Sequence, residues 1–274
     1  MGARRHATGP IAEVWSRLDA VTDPELDEAV TDLDFIESVE VSDTGEVDIA
    51  FRLPTYWCSA NFAFLMADDI RRQVSALPWV TRVRPRLEDH MCADDINHGV
   101  QNDMPFDKAL AGFGTAGSLD EVRDKFRRKA FERRQEAVLR ALLAQGLADA
   151  HISAMTSGLL AELLIEDASA ARQRRRYLDL LAALGHVGGP ISRAFVTYDG
   201  SPIAADELAG HLQRLKAVRI NMEFGGALCR GLLAARYREF DPEKDEPTLV
   251  DFMLDRVPPR KQADNGREGV PDHP

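Results

Sequence analysis

Apolar positions alternate with two different periods along the chain, and the change of period divides it. Ile11, Val14, Trp15 and Leu18 recur at helical spacing, which predicts a short amphipathic helix over about 11–20. Val39–Val41 and Val47–Leu53 read as two strands, the second alternating strictly through Val47, Ile49, Phe51 and Leu53. Between them Ser42-Asp-Thr-Gly45 suits a hairpin turn, with Gly45 free to take positive φ. Phe62, Leu65, Met66, Ile70 and Val74 restore a helical period from Ser59 to about Leu77, where Pro78 stops it. Val80, Val83 and Leu87 alternate with Arg82, Arg84 and Arg86 in a third strand. The order helix, strand, strand, helix, strand predicts an α+β unit over about 11–90: a small mixed sheet with two helices.

Residues 91–117 show little periodicity and several Gly, Asn and Pro residues, and read as a connector. Ser118-Leu-Asp-Glu121 is a capping-box pattern that opens a long helix running to about Gln145. Helices are expected near 154–165 and 168–184, a small hairpin over Phe195–Ile203, and a last long helix from Asp206 to about Tyr237, weakened by Gly225-Gly226. The second unit, about 118–240, is therefore mostly α-helical. Residues 1–10 are expected to be a disordered start, and 241–274 a charged, Pro-rich tail.

Charge reinforces the division. The net formal charge of -11 is unevenly spread. Residues 11–90 hold 17 acidic against 7 basic side chains, and residues 119–240 hold 15 against 19. An acidic first unit repels nucleic acid at long range. No apolar run approaches the roughly 20 residues of a membrane span, and no secretory signal is legible, so a cytoplasmic protein without a membrane partner is expected. Three cysteines, Cys58, Cys92 and Cys229, are too few for a disulfide framework, and no CxxC pair is present. No phosphate-binding loop, G-x-S-x-G, HExxH or dinucleotide fingerprint occurs, so an enzyme with its own substrate is not expected.

Cys58 stands between a strand and a helix start, where unsatisfied backbone N–H groups and the helix dipole favour a thiolate able to bind metal. A small core thiol is the plain alternative. His90 and Cys92 follow the last strand. If its end lies beside Cys58, the three could form a thiolate–imidazole site for iron, an Fe–S species or zinc. Asp23 and Glu25 could add oxygen ligands or orient His90, and could equally serve as helix caps. Cys229, among small residues in a predicted helix, reads as core packing. Arg172-Gln-Arg-Arg-Arg176 is a basic cluster, with a solvated helix stripe as its default reading and phosphate contact as the alternative.

Several short motifs occur in a telling order. They are Asp23-Pro24-Glu25-Leu26, Asp32-Leu33-Asp34-Phe35-Ile36, the Val-rich hairpin, Leu53-Pro-Thr55, Cys58, and Leu77-Pro78 before Val80-Thr-Arg-Val83. Over about 11–90 the chain resembles the SufT/PaaD-like iron–sulfur cluster assembly family. The resemblance implies an accessory or maturation protein that transiently holds iron or an Fe–S cluster and passes it to a client metalloenzyme. Some members of that family accompany multicomponent di-iron monooxygenases. It maps the reactive cysteine to Cys58 and the motif acid to Glu25, with Asp23, Asp32 and Thr55 in the surrounding motifs. Other Fe–S assembly proteins and a second copy of the chain are further expected partners. This chain departs from the family pattern in three places: Asp34 and Trp57 stand where the family has Gly, and Ser59 stands where it has Pro. Two rival functions come from other classes, a non-catalytic adaptor bridging enzyme subunits and a DNA-binding regulator using the helical half.

Overall fold

The computed structural model describes residues 8–113 and 119–237. The expected disordered start falls largely outside these residues, as do Ser118 of the capping box and the 241–274 tail.

The first element is α1 (Pro10–Leu18), which buries Val14, Trp15 and Leu18 and begins on a proline, whose missing N–H costs nothing in a first turn. Next come β1 (Ile36–Val41), β2 (Glu46–Arg52), α2 (Ala60–Ser75) and β3 (Arg82–Glu88). The sheet order is β1-β2-β3. β1 and β2 run antiparallel as a hairpin, and β2 and β3 run parallel, joined by the α2 crossover. The register pairs Val47 with Val83 and Phe51 with Leu87, so alternate residues of both strands fall on one face. Val47, Ile49, Phe51, Val83 and Leu87 are buried there with Ala63, Met66, Ile70 and Val74 of α2. On β2 and β3, Arg84 forms a two-pronged ion pair with its register partner Asp48, at 2.8 Å on each prong. Gly45 closes the hairpin at φ +80°, and a Cβ there would stand 2.4 Å from the Trp79 carbonyl oxygen. Both facts require glycine.

The connector expected over 91–117 contains helix. The short α3 (Ala93–Gln101) and α4 (Phe106–Ala109) pack on the sheet unit and add Cys92, Ile96, Val100, Phe106 and Leu110 to its core. The period was hidden because α3 is only nine residues long and most of its positions are polar. Asn97 ties it to the sheet, donating to the Leu87 carbonyl and accepting from the Leu87 N–H.

The remainder is helical: α5 (Leu119–Ala144), α6 (Asp149–Ala154), α7 (Ser157–Glu162), α8 (Ala168–Ala183) and α9 (Leu208–Tyr237). The helix expected over 154–165 is the short α7, and α6 before it is a further short helix that the pattern did not show. The expected 195–203 hairpin contracts to a single bridge between Val196 and Pro202. A second core forms around Phe131, Leu139, Tyr177, Phe195 and Leu215. Inside it the buried Gln135 donates to the Tyr177 hydroxyl and the Val196 carbonyl, and shares a 2.6 Å hydrogen bond with His211. α9 continues through Gly225-Gly226 without a break and serves both cores: Leu208 and Leu215 lie in the second, while Cys229 and Leu233 pack on the first. No described helix is long and apolar enough to cross a membrane.

Candidate functional site

The site is built where β2 hands over to α2. β2 ends at Arg52, and the chain turns through Leu53-Pro-Thr-Tyr-Trp-Cys58 to Ser59, which stands at the N-terminal boundary of α2. Thr55 Oγ1 and Cys58 Sγ share a hydrogen bond of 3.1 Å, which fixes the thiol over the turn. The Cys58 side chain is half-buried, whereas Tyr56 and Trp57 beside it are exposed, Trp57 by 73%. Two of the departures from the family pattern acquire physical reasons here. Asp34 sits at φ +56°, the left-handed region that glycine enters freely and aspartate tolerates. Ser59 sits at φ -53°, within the range that a proline ring imposes.

His90 and the Cys58 loop meet, a contact that the chain order left open. The contact is different from the expected one. The Cys92 backbone N–H donates to His90 Nδ1 at 3.1 Å. A backbone amide is only a donor, so Nδ1 accepts and the ring proton belongs to Nε2. Nε2–H in turn donates to the Cys58 carbonyl at 2.8 Å. Both ring nitrogens are engaged, so His90 holds the Cys58 loop against the end of β3 and presents no lone pair to a metal. Burial pushes its imidazolium below the usual 6.5, with Arg236 adding repulsion, and this favours the neutral ring the geometry needs. Met91 completes the seam, donating its N–H to the Tyr56 carbonyl at 2.8 Å.

Cys92 is a core residue. It is 1% exposed, belongs to the first core, and has a thiol pushed up by that burial. The expected trio of Cys58, Cys92 and His90 therefore resolves into one half-exposed thiol, one core thiol and one positioning imidazole. Among the described residues, no group of three or more His, Cys, Asp or Glu side chains is arranged to hold a metal ion.

The Asp23-Pro-Glu segment is a turn rather than a helix start. Asp23 Oδ1 accepts from the backbone N–H groups of Glu25 and Leu26, both at 2.8 Å. Burial nevertheless raises its carboxyl to about 6, with those two hydrogen bonds opposing the rise. Glu25 is exposed at the turn, and Asp32 is exposed on the rim of a groove that Arg230, Leu233 and Tyr237 of α9 also line.

Sequence reasoning read Cys229 as core packing. Cys229 packs on the first core together with Cys58. Its thiol is pushed up to about 11 by burial first, then by the charges of Asp23, Cys58 and Glu25. The Gly-Gly-Ala-Leu-Cys run did announce a close helix contact, but not which surface would fill it.

The basic cluster is only partly a solvated stripe. Arg176 donates to the Asp27 carboxylate at 2.9 Å, and Arg174 donates to the carbonyls of Leu160 and Leu163, while Arg172 and Arg175 remain exposed.

No curated protein matches the chain. Residues 11–84, which include the Asp23-Pro-Glu turn and Cys58 but stop short of His90, match the family model for iron-sulfur cluster assembly proteins, so the N-terminal region is a domain of that family.

Proposed function

We propose that this protein is a carrier and maturation factor: Cys58 transiently takes iron or an Fe–S species and hands it to a client metalloenzyme, such as a di-iron monooxygenase. The observation that carries this reading is the position of Cys58. Within the matched domain it is the half-exposed thiol, held by Thr55, at the strand-to-helix turn. A carrier needs its ligand reachable by a partner, and Tyr56, Trp57 and Met91 give that thiol an exposed apolar rim of the kind that anchors protein contacts. The two units expected from sequence would then divide the work, the acidic α+β unit carrying the cargo and the helical unit docking the client or a second copy.

The test is iron and acid-labile sulfide content, with an absorption spectrum, after anaerobic purification from iron-fed cells. Wild type is compared with Cys58→Ala. Iron retained by the first and lost from the second is expected. Neither protein holding metal, even after chemical reconstitution, would sink direct carriage.

The adaptor reading draws on another observation. Ile220, Phe224, Leu228 and Leu232 form an exposed apolar stripe along α9. An adaptor would keep supporting its client in cells after Cys58→Ala.

A further inference from the structure

The C-terminal half of α9 lies across the Cys58 region as a strap anchored at both ends. At one end Gly225 and Gly226 bring it down onto the turn that follows Asp23. A Cβ at either position would come within 3.4 Å, of Leu26 Cδ2 and of Glu28 Oε1 respectively. Arg230 seals this end by donating to Glu28 Oε2 at 2.6 Å. At the other end Arg236 donates to the Asp89 carbonyl at 3.2 Å, and the Tyr237 hydroxyl donates to the Asp89 carboxylate at 2.8 Å. The Arg52 guanidinium lies over the Tyr237 ring, 4.7 Å from its centroid.

Positions 225, 226, 229, 230, 233, 236 and 237 repeat at three- and four-residue intervals, so they form one face of the helix. Cys229 and Leu233 are the members of that face between the two anchors, and both pack on the first core. The second anchor, Asp89, is the residue before His90, which donates to the Cys58 carbonyl. From Cys229 to Arg236 is seven residues, about 10 Å of helix rise. The strap therefore carries Cys229 between an anchor on the Leu26–Glu28 turn and an anchor on Asp89, next to the His90 that holds the Cys58 loop.

We propose that Cys229 is a second thiol of the Cys58 site, so that a thiophilic metal ion or cluster is gripped between the Cys58 loop and the α9 strap. The proposal rests on the reading of Cys58 as the metal carrier and adds a ligand from outside the matched domain. Two thiolates fill half of a tetrahedral ion's coordination. A closed four-ligand site is structural, whereas open positions allow exchange. A two-thiol grip thus leaves positions for a client's own ligands, which suits transfer. Each thiol loses its proton to solvent on binding.

The experiment uses the full chain under anaerobic conditions with cadmium(II) as the probe. Wild type should give a thiolate-to-metal charge-transfer band about twice as intense as that of Cys58→Ser or Cys229→Ser, since absorbance follows the number of bound thiolates. Cys92→Ser should keep the full band. A Cys229→Ser band as strong as wild type overturns the proposal. A second measurement needs no variant: dibromobimane, fluorescent after bridging two thiols, should join Cys58 to Cys229 in peptide maps of the wild type. A bridge from Cys58 to Cys92, or none, overturns the proposal as well. The underlying carrier reading fails separately: a two-thiol cadmium band alongside full client maturation by Cys58→Ala would leave the second ligand standing and remove the delivery role.

Discussion

At the scale of single residues, His90 decides how the Cys58 loop is held. Its neutral ring makes two opposed hydrogen bonds, one accepted at Nδ1 and one donated from Nε2. Protonation turns the acceptor into a donor and breaks the bond from Cys92. The folded state holds the imidazolium below its usual 6.5, so the unfolded chain binds the proton more readily. The stabilising contribution is therefore complete above about pH 6.5 and is lost as the pH falls below it. Asp23 works in the opposite sense. Its carboxyl, raised to about 6 in the fold, makes the protein gain stability as the pH falls from 6 toward 3.8. Comparing variants separates the two. Urea midpoints of wild type and His90→Gln should diverge as the pH drops from 7 to 5, with wild type losing more. Parallel curves would show that His90 does not titrate as the geometry requires. At pH 7, His90→Ala should cost about 1–3 kcal/mol, because it strands the buried Cys92 N–H.

At the scale of elements, close backbone approach governs where the helices sit. Gly99 in α3 is buried against α4, and a Cβ there would stand 2.5 Å from Ala109 Cβ and 3.4 Å from Phe64. Alanine is the better helix former by about 1 kcal/mol, so propensity alone predicts that Gly99→Ala stabilises. Packing predicts the reverse, a loss of about 1–3 kcal/mol from overfilling. The packing argument should win in thermal unfolding, since neither Ala109 nor the α4 backbone can swing away. This contact also explains why 91–117 read as a connector. Its helices are short, and their order comes from neighbours distant in sequence. By contrast, β2 and α2 were legible because Val47–Leu53 and Phe62–Val74 carry sustained periods.

At the scale of the whole molecule, one buried carboxylate joins the sheet unit to the helical unit. Asp27 is 2% exposed and stands at φ +51°. It receives Arg134 from α5 at 2.6 and 2.9 Å, and Arg176 from α8 at 2.9 Å. Arg133 adds a donation to the Leu26 carbonyl, and Arg123 pairs with Asp68 and Asp69 of α2. Asp27→Asn keeps the side chain's shape and its tolerance of positive φ, but removes the buried charge that the two guanidinium groups share. Breaking a buried pair from one side costs about 3–5 kcal/mol. We expect urea unfolding of this variant to show a midpoint lowered accordingly, and limited proteolysis to cut between the two cores. An unchanged midpoint would place the coupling in the apolar contacts, of which Phe62 on Phe126 at 4.9 Å is the clearest.

Local pattern alone determined the α+β order of the first unit, the helical character of the second, the hairpin at Gly45 and the position of Cys58 between strand and helix. These follow from side-chain period and backbone freedom, which act over a few residues. Only the tertiary structure decided what surrounds Cys58. It sent Cys92 into the core, made His90 a brace through both ring nitrogens, turned Arg176 inward to Asp27, and packed Cys229 on the same core as Cys58. Each of these depends on which surfaces meet when two hydrophobic cores close, and a sequence pattern records that a face is apolar or small without naming the face it will touch.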